Sequence, residues 1–500
     1  MNSGSDTVTR ASVLQMLETL WPGNVWPVLP ARTRLVTDSR LLRAGDVFLA
    51  VPGVVADGRD YIVQALQAEA GLVLAHVDDD AEAGPVEGDH RVMAVTDLKG
   101  RLGVLARGIH QVSDSLFVSA VTGTNGKSSV AHYLASLTEA VAGPCGLMGT
   151  LGVGRPGQLT DTGLTTPGIV GIQAALGALS ADGVTRVVLE ASSHALDQDR
   201  LAATPIHTAI FTNLTRDHLD YHGSMAAYAA AKARLFRRPE LALAVVNEDD
   251  PLSRLMVAGC GPAVRVLRVG HGDSADFRVL SHHPEDTGQS ARVMTPEGEV
   301  TLSLGLMGHF NLTNALLALA AAYGQALAPL EVLLEAMAQL APVPGRMERI
   351  AAPGPTVIID YAHTPDALTN ALEALRDHVP GRLWCLVGCG GDRDSGKRPL
   401  MARAACDGAD RLVITDDNPR SESAAAIRDE MLAGVKDVPG VQAVADRRQA
   451  IEQVIREAAL SDVILIAGKG HETYQEIAGI KHPFSDHDIA RTALEARHDA

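Results

Sequence analysis

In the first hundred residues, short apolar runs at 46–51, 71–75 and 91–95 are separated by turns bearing glycine and aspartate, a pattern that predicts a small α/β unit. The stretch 78–90 is acidic, carries Gly84-Pro85 and has no apolar period, so it reads as a solvated loop. From 99 to 345, apolar strands at 116–121, 186–189, 209–212 and 243–246 alternate with helical patterns, which predicts a mostly parallel sheet with helices on its faces. Short alternating runs and the turn residues Pro284 and Gly288 mark 263–306 as an antiparallel insert. Ala/Leu periodicity then predicts helix from 311 to 340, and Pro342-Val343-Pro344-Gly345 breaks it at a domain boundary.

The last third repeats the α/β rhythm with strands at 357–359, 383–387, 412–415 and 463–466. Each runs directly into a polar or glycine-rich group: Asp360-Tyr361-Ala362-His363, 388–393, 416–420 and 468–472. Open parallel sheets bind ligands beyond the carboxyl ends of their strands, so the four groups predict one binding rim. The expected fold is an α/β chain of three domains, 1–98, 99–345 and 346–500, which agrees with 500 residues at about 150 per domain.

Composition narrows the function. Apolar residues make up 46% of the chain and charged residues 21%, which excludes wholesale disorder. The net charge of −17 argues against a nucleic-acid partner, whose phosphates call for a basic surface. Cys145, Cys260, Cys385, Cys389 and Cys406 are scattered, with no CxxC pair, and read as reduced thiols. The N-terminus lacks a basic-then-apolar leader, and the most apolar region, 314–334, is interrupted by Gln325, Pro329 and Glu331. The expectation is therefore no transmembrane segment and a cytoplasmic protein.

The strongest local signal is Thr122-Gly123-Thr124-Asn125-Gly126-Lys127-Ser128-Ser129, placed after an apolar strand and opening a helix. The glycines let backbone N–H groups close around phosphate, Lys127 adds a cation, Ser128 can ligate magnesium, and the helix N-terminus favours negative charge. Position 121 is Val, where the standard phosphate loop would have its first glycine. Glu190 ends a strand, either as an exposed carboxylate or where magnesium on a triphosphate sits. Ser192, Gln198 and Arg200 follow it as a polar strip. The group 213–222 places His218 directly after another strand, either as a metal or phosphate contact or as part of a solvated loop. Lys232 lies on an Ala-rich helix and by itself reads as a snorkelling surface lysine. Asn311 and Asn314, one turn apart, either cap a helix or bind a base edge. Arg346 is either a linker charge or an arginine swung onto phosphate. Asp417-Asn418-Pro419-Arg420 is either an Asx turn or part of a zwitterion site, with Arg420 and Arg393 facing a carboxylate while Asp417 and Glu472 accept from an ammonium.

Together with Gly308-His309-Phe310-Asn311, Asp360 to Pro365, and Gly468-Lys469-Gly470-His471-Glu472, these motifs resemble the Mur ligase family in order and spacing over essentially the whole chain. The resemblance implies a UDP-binding N-terminal domain, a central P-loop-type ATPase domain and a Rossmann-like C-terminal domain. It also implies an ATP-dependent ligase of peptidoglycan precursor synthesis, which would be monomeric. Its substrates would be ATP, UDP-N-acetylmuramoyl-L-alanyl-D-glutamate and, from the Asp417 to Arg420 motif, meso-diaminopimelate. By resemblance, Gly123, Thr124, Asn125, Gly126, Lys127, Ser128 and Ser129 hold the ATP phosphates, Asn311 and Asn314 lie near adenine, Arg346 on the γ-phosphate and Asp360 on the ribose side. Ser128 and Glu190 would bind one Mg2+, and His218 with a carbamylated Lys232 a second. Thr37 and Ser39 would contact the UDP-sugar, while Thr165, Thr166, Ser192, Gln198 and Arg200 would contact the muramoyl-dipeptide. Arg393, Asp417, Asn418, Pro419, Arg420, Gly468 and Glu472 would bind diaminopimelate.

The chain departs from the family pattern at Val54-Val55-Ala56, where some members carry His-Gln-Ala, and at Leu164, where some carry Asn. Lysine lacks the distal carboxylate of diaminopimelate and would leave Arg420 without a counter-charge, and sites built around a polar group reject analogues lacking it by roughly 10⁴–10⁵. A lysine-adding homologue is therefore the weaker alternative. A folylpolyglutamate synthetase-like ligase normally lacks the UDP domain and the Asp417 to Arg420 group. A non-catalytic nucleotide-binding module would have no use for the second-metal residues or the Arg346 clamp.

Overall fold

The computed structural model describes residues 7–53, 56–285, 288–376, 378–436 and 438–498; Val54 and Val55 lie outside them. The chain forms two compact units, one of 1–120, 143–209 and 237–242, the other of 121–142, 210–236 and 243–500.

In the first unit, strands Leu35–Val36, Val47–Ala50, Leu72–Val77 and Val92–Thr96 pair in parallel in that order. Alternate residues serve opposite faces. Val47, Leu49, Leu72, Leu74, Met93 and Val95 pack with Val13 and Leu17 of helix Arg10–Leu20 and Leu102 and Leu105 of helix Leu98–Ile109. Phe48, Ala50, Val73 and Val92 pack with Ala65 of helix Ile62–Gln67. Burial on both faces is why these strands read as unbroken apolar runs. The segment 78–90 is not wholly a loop, because Gly84–Pro85 pairs antiparallel with Val92–Thr96 at the sheet edge, the one place where a proline needs no ladder donor. Farther along, Arg186–Glu190 pairs in parallel with Cys145–Gly149, and Gly152–Arg155 and Gln158–Thr160 continue antiparallel from it.

In the second unit, Leu243–Asn247, Arg265–Gly270 and Phe277–Glu285 pair in parallel, and Gly288–Thr295 and Gly298–Leu304 complete an antiparallel meander. The antiparallel part thus begins at Phe277, not at 263. The crossover before Arg265 contains only the five-residue helix Ser253–Val257, too short to show a period in sequence. Helix His309–Gly324 is buried nearly all round, which accounts for its apolar composition. Among the described residues no helix is long and apolar enough to cross a membrane.

The C-terminal sheet has the order Glu348–Arg349, Thr356–Asp360, Val463–Ala467, Leu383–Val387, Arg411–Ile414, Val441–Ala443, parallel except at the first edge. Ile358, Cys385, Val387, Ile414 and Leu465 face one core, and Val357, Ile359, Leu386, Val413 and Ile464 the other. Four adjacent parallel strands therefore end side by side, which brings the polar groups after 360, 387, 415 and 467 to one edge. Behind that edge, the fully buried Arg447 donates to both carboxylate oxygens of the fully buried Asp486, each at 2.7 Å, and to the Ala467 carbonyl at 2.9 Å.

Candidate active site

Residues 122–129 form a tight turn from the strand Phe117–Thr122 into the helix Lys127–Ala142. The turn is fastened by the end of a second strand. Thr124 and Asn125 N–H donate to the carbonyl and side-chain oxygens of Asn213, both at 2.9 Å, and Thr212 Oγ1 donates to the Asn125 carbonyl at 2.6 Å. Gly126 has φ +82, and a Cβ there would lie 2.6 Å from Asn314 Oδ1. Lys127 Nζ curls onto the carbonyls of Gly123 and Thr124 at 3.0 and 2.8 Å. Ser128 and Ser129 are buried in the first helical turn.

Lys232 is not a surface lysine, being 1% exposed. Its Nζ donates to the Gly123 carbonyl at 2.7 Å and lies 4.5 Å from the centre of the Tyr228 ring. Burial, helped by the charge of Lys127, pushes its amine well below the usual lysine range, against the opposing pull of Asp217. His218 has the left-handed φ of +53, a strained choice for a non-glycine residue, and its Nε2 lies 3.5 Å from Asp217 Oδ2.

Arg346 reaches the same loop, with a guanidinium nitrogen 3.2 Å from Ser128 Oγ and its carbon 4.2 Å from the Tyr361 ring centre. Its turn is over-determined. Gly345 N–H donates to Glu348 at 2.7 Å, Met347 N–H donates to Asp360 at 2.8 Å, and Gly345 has φ +67. A Cβ on Gly345 would lie 2.2 Å from the His471 nitrogen, so this turn packs directly on the 468–472 loop. Asp360 also accepts from Ala362 N–H at 2.8 Å, which makes it a brace for Arg346. Asn311 is tied to the Met307 carbonyl at 2.9 Å and to the Tyr133 hydroxyl at 3.3 Å, so Asn314 is the amide that meets the loop. Burial, aided by Lys397 and opposed by Asp217, lowers His363 to about 4.

The first unit holds a separate polar network. Glu190 is 1% exposed, not an exposed carboxylate, and accepts from Thr150 N–H at 2.9 Å and Thr150 Oγ1 at 3.0 Å. Thr150 Oγ1 also lies 3.1 Å from Thr165 Oγ1. Thr166 Oγ1 donates to the Glu190 carbonyl at 2.7 Å and accepts from Ser192 N–H at 3.1 Å. Arg200 donates to Gln198 Oε1 at 2.9 and 2.7 Å and to the Thr166 carbonyl at 2.9 Å. Five predicted residues, Thr165, Thr166, Ser192, Gln198 and Arg200, are thus brought together around Glu190. Thr37 and Ser39 stand apart at the end of Leu35–Val36, with Thr37 exposed and Ser39 Oγ 3.2 Å from Gln64 Oε1. Leu164 is 54% exposed.

At the C-terminal rim, Asp417 and Glu472 already hold an ammonium. The fully buried Lys469 places Nζ 3.0 Å from Glu472 Oε2, 3.0 Å from Asn418 Oδ1 and 3.6 Å from Asp417 Oδ1. Asn418 Nδ2 donates to Glu472 at 2.7 Å. A Cβ on Gly468 would lie 2.7 Å from Asp417 Oδ2, so the two loops touch. Arg420 N–H donates to the Glu476 carbonyl at 3.0 Å, and its side chain donates to the Gly391 carbonyl at 2.7 Å. Arg393 is exposed.

Three family models match in the expected order: "Mur ligase family, catalytic domain" at 33–110, "Mur ligase middle domain" at 121–322 and "Mur ligase, glutamate ligase domain" at 345–470. Proteins named UDP-N-acetylmuramoyl-L-alanyl-D-glutamate--2,6-diaminopimelate ligase are similar over nearly the full length. The one from Ectopseudomonas mendocina is 46% identical over 466 residues, covering 92% of this chain and 95% of its own. That of Neisseria meningitidis is 44% identical, covering 93% and 95%. A solved structure of a ligase with the same name superposes with a TM-score of 0.68 at 35% identity, covering 96% of this chain and 99% of its own. The chain belongs to the Mur ligase family.

This Mur ligase has the family's three-domain α/β architecture. Several of its site residues carried no individual signal in sequence. Thr150 is a lone threonine after a short strand, and only its place at a strand end could have marked it. Lys469, within a Gly-Lys-Gly run, resembles an exposed loop lysine, although its position directly after an apolar strand marks it as part of the rim. Thr212 and Asn213 of this Mur ligase fasten the 122–129 turn, a contact between distant segments that only the fold displays.

Proposed function

We propose that the chain joins meso-diaminopimelate to the D-glutamate γ-carboxylate of UDP-N-acetylmuramoyl-L-alanyl-D-glutamate, converting ATP to ADP and phosphate, during synthesis of peptidoglycan precursors. The observation that carries this reading is the 46% identity, over 92% of the chain, to relatives bearing that activity in their name. The strand-end rim with Arg420 supports the choice of amino acid.

A carboxylate is a poor acyl electrophile. Transfer of the γ-phosphoryl group from ATP makes it an acyl phosphate; the amine then attacks the carbonyl carbon, the C–O bond to phosphate breaks, and an amide, phosphate and a proton result. The protein's contribution is positioning and charge neutralisation. Lys127 exchanges its two backbone carbonyls for phosphate oxygens, and the N-terminus of helix Lys127–Ala142 presents N–H groups to them. Arg346, beside Ser128, sets a guanidinium against the charge that shifts off the γ-phosphoryl.

The donors present fit magnesium. Among the described residues no three His, Cys, Asp or Glu side chains form a dedicated cage. An ion that arrives with ATP needs none, since phosphates and waters fill most of its octahedron. Ser128 and Glu190 are each assigned to magnesium, as are His218 and carbamylated Lys232; the metal, when bound, would neutralise phosphate charge. Only a neutral amine adds CO2, and the burial of Lys232 favours that form. We place the functional divisions at 98 and 345, with Thr37 and Ser39 at the UDP-sugar, and the reaction in the cytoplasm, where ATP and UDP-linked precursors are made.

The test is phosphate release from ATP, magnesium and the UDP-dipeptide, run in parallel with meso-diaminopimelate and with L-lysine. Turnover with diaminopimelate alone supports the reading. Turnover with lysine alone overturns the selectivity, and silence with both overturns the ligase.

A further inference from the structure

Two loops carry the arginines of the amino-acid rim, 388–394 with Arg393 and 416–422 with Arg420, and they interlock through contacts that neither arginine's own motif announces. Gly391 N–H donates to the Asn418 carbonyl at 2.9 Å. A Cβ on Gly391 would lie 2.0 Å from the Pro419 carbonyl oxygen, so nothing larger than glycine lets the loops meet. Asp392 accepts from Ser421 Oγ at 2.6 Å and from Ser421 N–H at 3.2 Å, and its own N–H donates to Glu422. Beneath both loops, in the first turn of helix Lys397–Gly408, lies Arg398, 1% exposed. Its guanidinium forks onto Glu422 at 2.8 Å and Glu430 at 2.9 Å.

Arg420 sits on this lattice with φ +51, a left-handed conformation that is strained for a non-glycine residue and persists only where its surroundings impose it. On one side the hairpin Tyr474–Ile477 and Ile480–Pro483 imposes it, through Glu476 and through Ala478 N–H, which donates to the Arg420 carbonyl at 2.7 Å. On the other side the restraint is the chain Arg398, Glu422, Asp392, Ser421.

We propose that Arg398 is a positioning residue for the amino-acid substrate: through Glu422 and Asp392 it fixes Ser421 and holds the Arg420 fork pre-aimed at the substrate's carboxylate. A lysine cannot replace it, because a single ammonium does not span two carboxylates as a planar fork does. This inference rests on the diaminopimelate reading of the rim.

The test is steady-state kinetics on Glu422→Gln and Ser421→Ala, which leave the buried arginine in place, alongside Arg398→Lys. The expected result is a KM for diaminopimelate raised about tenfold in each, with the KM values for ATP and UDP-dipeptide, and kcat at saturating diaminopimelate, within about twofold of wild type. Ser421→Ala added to Arg398→Lys is expected to raise KM little further, as for links of one chain. An unchanged KM for diaminopimelate in Glu422→Gln and Ser421→Ala overturns the proposal, as does a parallel rise in all three KM values, the signature of a general structural defect. A wild-type protein inactive with diaminopimelate overturns the reading of the rim instead, so the two failures are distinguishable.

Discussion

The amine of Lys232 donates to the carbonyl of Gly123 at 2.7 Å from a position that is 1% exposed. A helix lysine is thereby fixed against the loop proposed to hold the ATP phosphates, and burial disfavours the charged form that a surface lysine carries.

Lys232→Met is expected to lower turnover about 10³-fold, the scale of losing one preorganised electrostatic partner. Isotopically labelled CO2 should give a carbamate signal in wild type and none in the variant. The pH dependence has a definite sign. In CO2-free buffer, where the amine is free, the unfolded chain holds the proton between the depressed folded value and about 10.4 and the folded chain does not, so wild-type stability rises with pH across that window. Denaturant midpoints of Lys232→Met measured across the window should lose that slope.

Thr150→Val removes the hydroxyl that meets Glu190 Oε2 at 3.0 Å and leaves the backbone donor. With Glu190 as a metal ligand, loss of this outer partner raises the magnesium concentration for half-maximal rate about 10-fold. A magnesium titration at saturating ATP checks it; an unchanged requirement would remove Thr150 from the role.

Arg420→Ala should raise the KM for diaminopimelate roughly 10²-fold and leave that for ATP unaltered, since a charge-assisted fork to a carboxylate is worth about 2–3 kcal/mol. Arg420→Lys, which keeps the charge and loses the fork, should fall between. Equal losses for all substrates would contradict the assignment.

Arg447→Met is expected to destabilise the chain by about 3–5 kcal/mol, because it strands the buried carboxylate of Asp486. Combining it with Asp486→Leu should recover most of that loss in urea unfolding.

Much of this was legible in sequence because burial on both faces of a parallel sheet writes continuous apolar runs, as at 383–387 and 463–467, and leaves the polar groups at strand ends conspicuous. What stayed hidden depends on partners far along the chain. Alanine suits a buried face and an exposed one alike, so the Ala-rich helix Met225–Ala233 shows no stripe in sequence although Ala226, Ala227 and Ala230 are exposed and Tyr228, Ala229 and Lys232 are buried, and nothing marked Lys232 as interior except the family resemblance. Lys469 is held between Glu472 of its own loop and Asp417 of a distant one, and the sequence spacing reveals only the nearer partner. The edge pairing at 84–85 and the parallel strand at 265–270 are fixed by contacts too short to leave a period.

Gly345 adjoins Arg346 and rests on the loop bearing Glu472. The two loops share a backbone contact with no side chain between them, so there is no soft layer to absorb a displacement. Were the amino acid to bind at the rim as proposed, any adjustment of the Glu472 loop would reach the backbone one peptide away from Arg346, a direct mechanical link between the two halves of the proposed site.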